Sequence, residues 1–234
     1  MPDMLPPANP AVLAGLIGTV LLAVFAFIGF EGLANVAEEV RHPKRTLPRA
    51  IFLTLAISTL LYVSVVWIAL VAVGPSELGQ SQAPLALAFE RLTGASPRTM
   101  SAIAVVATLN GIIVQIIMAS RVLYGLARQG DLPSTLAIVG GRTHTPLVAT
   151  ALATLTVLGL ALALPLQNLA EVTSRLTLVV FTAVNVSLIV IKQRGPVTSD
   201  GYEAPGWVPW AGAATCILLL ALDAWMLLRA AIQL

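Results

Sequence analysis

The sequence predicts an all-α integral membrane protein with six transmembrane helices, the first one broken, in a single membrane domain over residues 1–234. Three observations predict it. Hydrophobic residues make up 58% of the chain and charged residues only 10%, where soluble domains carry roughly a quarter charged residues. The mean hydropathy is +0.92. Uncharged runs recur along the chain, most of them near the ~20 residues that cross a hydrocarbon core about 30 Å thick, with Pro and Gly between them. Such a composition leaves too little polar surface for a water-soluble enzyme, a disordered chain or a nucleic-acid-binding module. The net charge is only +2, from 13 Lys and Arg against 11 Asp and Glu, so the basic excess bears on membrane orientation and not on binding nucleic acid. A lone Cys216 excludes an internal disulfide and a cysteine-based zinc cluster, and His42 and His144 are too few for a histidine metal site. No GxSxG, Walker or HExxH pattern occurs, so no enzyme activity, cofactor or metal is expected.

The spans follow in order. The first is uncharged over 11–30 and continues, broken, to about residue 40. The second covers 49–74, entered through the basic turn HPKRTLP, whose Pro43 follows one helix end and whose Pro48 opens the next helix. The third covers 99–128, the fourth 146–165, the fifth 171–191 with Glu171 and Arg175 at its interfacial end, and the sixth 207–230 with Asp223 and Arg229 towards its finish. Between the second and third, PLALAFERL (84–92) has an amphipathic pattern that fits a helix lying on the membrane surface or a gate. The Gly- and Pro-rich stretch 195–209 reads as a linker.

Charge placement gives an orientation. Arg41, Lys44, Arg45, Arg49, Arg121, Arg128, Arg142, Lys192 and Arg194 fall on one side, which is nine of the 13 basic residues. Arg91, Arg98, Arg175 and Arg229 fall on the other. The richer side belongs in the cytoplasm. Both termini are then outside, in a multi-pass protein of the plasma (cell inner) membrane. The opening MPDMLPPANP lacks the basic start of a cleavable signal.

Polar and helix-breaking residues inside spans need a reason, because lipid faces the rest. Gly29 and Gly32 flank Phe30 and Glu31 at the end of the first uncharged run. Two arrangements fit: local unwinding, for which glycine tolerates the dihedrals, or tight packing of the glycines against another helix. Unwound backbone at membrane depth is tolerated where it lines a cavity, and such breaks hold small solutes in transporters. Freed carbonyls of Phe25, Ala26 and Ile28 would accept from an ammonium group, at a helix end carrying partial negative charge. Glu31, Asn35, Glu38 or Glu39, and His42 then form a polar stripe on a second half-helix. A carboxylate in hydrocarbon must be paired, hydrated or protonated. Glu31 is therefore a candidate for proton coupling, or else a structural group bonded to a neighbouring helix. Thr108, Gly111 and Gln115 share a face of the third span, and Thr182 and Asn185 lie in the fifth. Thr108, Gln115 and Asn185 are cavity-lining candidates; the alternative is hydrogen bonding between helices.

The segment FAFIGFEGLANVAEEVRHPKRTLPRAI (25–51) resembles the sixth membrane helix and following loop of the amino acid–polyamine–organocation superfamily of amino acid permeases. ASRVLYGLARQGDLP (119–133) resembles the end of that family's eighth helix and its loop. His144-Thr145-Pro146 resembles the start of the ninth helix, and YEAPGWVPWAG (202–212) that of the eleventh. The resemblance implies the second half of a five-plus-five inverted-repeat transporter fold, carrying the family's spans six to eleven. It implies that Phe25, Ala26, Phe27, Ile28, Gly29 and Phe30 bind substrate, with Phe27 and Phe30 at an aromatic gate and Glu31 at the acidic position after the break. The implied function is secondary active transport of an amino acid or related amine by alternating access, proton-driven in one form. The partners are then the amino acid substrate, the lipid bilayer and a chain supplying the first repeat. The second repeat alone gives half a site, so the sequence is a fragment or a second polypeptide completes it. A homodimer would lack the first-helix cradle for the substrate carboxylate. The competing class is a truncated remnant or a non-transporting membrane interaction subunit.

Overall fold

The computed structural model describes residues 10–35, 37, 40–141, 144–195 and 202–232. Among these residues every regular element is helical: α1 (Pro10–Phe27), α2 (Gly32–Asn35), α3 (Pro43–Val73), α4 (Pro75–Gln80), α5 (Pro84–Thr93), α6 (Pro97–Gln129), a 3-10 turn (Ser134–Ala137), α7 (Leu147–Ala163), α8 (Leu166–Gln193) and α9 (Val208–Ile232). Helices α3, α6, α8 and, over Val208–Arg229, α9 are long and apolar enough to cross a membrane. Helices α1 and α7 are apolar and shorter. Large apolar side chains such as Trp67 and Val71 of α3 and Val106 of α6 stand exposed. A surface of that kind is solvated by lipid and not by water.

Two compact units divide the described residues. The first comprises the residues up to Phe52 and from Leu160 onward. Its core is the packing of α1, α8 and α9, where Leu21, Leu178 and Cys216 are buried among Val24, Phe181, Leu219 and Leu220. The buried stripe of α8, Ala170, Ser174, Leu178 and Ile189, recurs mostly at i+4 and keeps one helix face inward. The second unit is Leu53–Gly159. Helix α5 buries Ala86 and Ala88 and packs on α6. The lower part of α6 packs with the 3-10 turn and α7 through Ala127, Leu136 and Ala149. Helix α6 is capped at both ends. Ser96 Oγ accepts from the Arg98 N–H at 3.3 Å, and Gly130, at φ 92°, ends the helix.

Several elements differ from the sequence reading. After the break, Gly32–Asn35 is helical, and residues 40–42 are bends, so the second half of the first span is not helix where it meets His42. His42 has φ 53°, and Pro43 opens α3 directly after it. A proline disfavours helical backbone in the residue before it, which breaks the expected polar stripe at that point. Glu38, Glu39 and Arg142 lie outside the described residues. Helix α8 begins at Leu166 right after Pro165, earlier than expected, so Glu171 and Arg175 are inside the helix.

Candidate functional site

Helix α1 stops at Phe27, and residues 28–31 form a turn before α2. In an uninterrupted helix the Gly29 N–H would reach the Phe25 carbonyl. Here that carbonyl accepts from the Ile28 N–H at 3.1 Å, and the Gly29 N–H donates instead to Glu31 Oε2 at 2.7 Å. The chain then advances by three-residue steps: Gly32, Leu33 and Ala34 N–H donate to the carbonyls of Gly29, Phe30 and Glu31 at 3.0–3.1 Å. Gly29 has φ 129°, a region L side chains avoid. A Cβ placed there would meet nothing within 4 Å. The backbone angle, not lack of space, is what requires glycine. Of the two arrangements the sequence left open at Gly29, the backbone adopts the unwound one.

The residues singled out in this segment are placed as follows. Phe25 is exposed, Phe27 and Ile28 are half-buried, and the Phe25 carbonyl is already engaged by Ile28. The Phe30 ring lies 5.9 Å from that of Phe181 on α8, tilted by 46°. Helix α8 therefore touches the broken helix at the break. It touches it again further back, where Ser174, fully buried, has its hydroxyl 2.8 Å from the Leu21 carbonyl and 2.9 Å from the Ala170 carbonyl. One hydroxyl proton serves these two acceptors.

In the second unit Thr108, Gly111 and Gln115 line one open groove of about 330 Å³ with Ile112, Ile116 and Val157. Thr108 and Gln115 are thus brought together. Asn185 is in the first unit. Its Nδ2 donates to the Phe181 carbonyl of its own helix at 2.8 Å, and its amide lies against Gly212 of α9, where an added Cβ would come within 2.5 Å of Oδ1.

Sequence reasoning missed the groups that join the helices around the break. Arg175 Nε donates to Asp223 Oδ2 at 2.7 Å, and its Nη2 reaches Asp223 Oδ1 and Glu171 Oε2, both at 3.2 Å. Asp223 is 7% exposed. This bidentate pair ties α8 to α9 and satisfies a carboxylate that would otherwise be stranded among apolar side chains. The sequence signal was present as two charges inside otherwise apolar helices. By sequence alone these charges read as helix ends, because nothing in a sequence pairs residues 48 positions apart.

Residues 1–230 match the family described as amino acid permease. The chain belongs to the amino acid permease family. It is 28% identical over 227 residues to the branched-chain amino acid permease BcaP of Bacillus subtilis, covering 94% of this chain and 48% of that protein. To the methylthioribose transporter of the same organism it is 26% identical over 221 residues, covering 92% and 47%. To the vacuolar cationic amino acid transporter 2 of Arabidopsis thaliana it is 34% identical over 178 residues, covering 74% and 27%. The chain thus spans at most about half the length of these curated relatives. All three are named as permeases or transporters and none as an enzyme. Family membership and the long apolar helices make this permease-family chain an integral membrane protein.

Proposed function

We propose that this chain carries the second-repeat half of the substrate site of a secondary transporter for an amino acid or related amine, in a protein that works by alternating access. The observation that carries the reading is the break at residues 28–31, with the backbone reversed at Gly29 and out of the α-helical ladder. An interrupted helix inside a membrane protein puts carbonyl and N–H dipoles at the disposal of a solute. The C-terminal end of α1 presents partial negative charge, which suits a substrate ammonium group. Phe25 to Phe30 form the contact segment, and the Phe30–Phe181 pair forms its aromatic wall. The names of the relatives cover branched-chain amino acids, cationic amino acids and a methylthio sugar, so side-chain selectivity is read from this chain's own pocket and not from the family.

Glu31 is the proton-coupling group in this reading. Its carboxylate holds the Gly29 N–H. Protonation would weaken the acceptor and release that N–H, so proton uptake and the shape of the break are linked through one hydrogen bond. The chain crosses the bilayer six times, with the basic turn before α3 in the cytoplasm, the amino terminus outside, and a first-repeat partner segment supplying the cradle for the substrate carboxylate.

The test is uptake of radiolabelled leucine, arginine and methylthioribose into proteoliposomes containing the protein joined to a first-repeat segment. Saturable uptake of an amino acid that Gly29→Ala reduces supports the proposal. A helical, correctly inserted protein that neither binds nor moves any of the three overturns it in favour of a non-transporting membrane subunit.

A further inference from the structure

A recess of about 650 Å³ opens at the start of α3, lined by His42, Pro43, Lys44, Arg45, Thr46 and Arg49. The transport reading uses none of these residues. Lys44, Arg45 and Arg49 are exposed. The described ion pairs take Arg91, Arg175 and Lys192, and among the described residues no carboxylate pairs with the three cations of the recess. Three exposed positive charges within six residues create a local positive potential that attracts an anion.

The level of the recess in the membrane identifies the anion. The uncharged stretch from Ala50 to the end of α3 at Val73 is about 36 Å long at ~1.5 Å per residue, enough for the ~30 Å hydrocarbon core. Arg49 is then at the edge of that core, and Lys44 and Arg45 stand about 6–8 Å further out along the helix, in the headgroup layer. An aromatic pair marks the same level: Phe52, three residues past Arg49, packs edge-on against Tyr202 with ring centroids 5.6 Å apart. Tyrosine favours the membrane interface, where its ring is apolar and its hydroxyl wet.

We propose that the recess formed by His42, Lys44, Arg45, Thr46 and Arg49 binds the phosphate of an anionic phospholipid headgroup. The lipid's acyl chains would run into the hydrocarbon past Phe52, which stands exposed. The chemistry is a phosphate monoanion held by Arg and Lys, with the chains fixing its depth. Free phosphate lacks that second anchor. The inference is independent of the transport reading, since it concerns residues outside the break and is read without any substrate.

The experiment measures thermal unfolding of the full chain in detergent, titrated with phosphatidylglycerol, with phosphatidylcholine, or with inorganic phosphate at equal phosphate concentration. Phosphatidylglycerol raises the midpoint, and the other two leave it in place. The Lys44→Gln/Arg45→Gln/Arg49→Gln variant keeps its midpoint in phosphatidylcholine and needs roughly a hundredfold more phosphatidylglycerol, at about a fivefold loss per basic residue near an anionic surface. Arg49→Gln alone shows a partial loss, which serves if the triple variant does not fold. Lys192→Gln, whose partner is Glu203, keeps the full response. Equal stabilisation by phosphatidylcholine, equal stabilisation by inorganic phosphate, or an undiminished response in both recess variants overturns the proposal.

Discussion

The contact of Asn185 on α8 with Gly212 on α9 makes a prediction whose size depends on how that contact yields. In Gly212→Ala the new Cβ would lie 2.5 Å from Asn185 Oδ1, 2.9 Å from its Cγ and 3.0 Å from its Nδ2. Asn185 has only two rotatable bonds and is anchored by its 2.8 Å bond to the Phe181 carbonyl. It can turn away only by giving up that bond, at about 1 kcal/mol. Otherwise the helices separate, and overpacking of this kind costs about 1–3 kcal/mol. Against this, replacing glycine by alanine inside a helix contributes about 0.8–1 kcal/mol of propensity. The single variant is therefore near neutral if Asn185 turns away and destabilised by up to about 2 kcal/mol if the helices separate. In an Asn185→Ala background the obstruction is gone, and the same change stabilises by up to about 1 kcal/mol. Unfolding in mixed micelles with increasing sodium dodecyl sulfate, followed by circular dichroism, reads all four proteins of this cycle. Additivity within about 0.5 kcal/mol would refute the packing argument, since independent sites add to that degree.

The other predictions concern the joints around the break. Asp223→Leu alone leaves Arg175 with only Glu171 and costs about 3 kcal/mol, whereas Arg175→Met with Asp223→Leu is near neutral, because the first strands a charge and the second removes the pair; the same micelle titration separates them, and equal losses would contradict the ion-pair account. Ser174→Ala removes the hydroxyl that reaches Leu21 and lowers stability by about 0.5–1.5 kcal/mol without opening a large cavity; Ser174→Thr, whose hydroxyl can repeat the bond but whose methyl must enter a fully buried site, should rank below wild type. Gly29→Ala meets no atom within 4 Å, so its penalty of about 1–3 kcal/mol is backbone strain at φ 129°; unimpaired uptake and unchanged stability would show that the reversed backbone is dispensable. Glu31→Gln should uncouple uptake from an imposed proton gradient, and unaltered gradient-driven accumulation at normal expression would remove Glu31 from the coupling step.

Some of this was legible in the residues alone. The helical class follows from apolar runs of membrane length, since backbone polar groups in lipid must be satisfied within a segment. Gly29 and Gly32 around Glu31 marked where a break could fall and left close packing as the alternative; the positive φ at Gly29 is what the structure added. The shared face of Thr108, Gly111 and Gln115 follows from helical spacing, which fixes neighbours within one element. Even within one chain segment the reading had limits. His42 before Pro43 is outside any helix, and Pro165 moved the start of α8 towards the amino terminus, because proline acts on both its own residue and the one before it.

Only the tertiary structure decided which side chains meet across helices. Periodicity gives each helix a face but not its partner. Leu21 with Ser174, Phe30 with Phe181, Arg175 with Asp223 and Asn185 with Gly212 are therefore invisible in sequence. Those contacts depend on the axial register and rotation of α1, α8 and α9, and these are set by packing that involves all three helices at once.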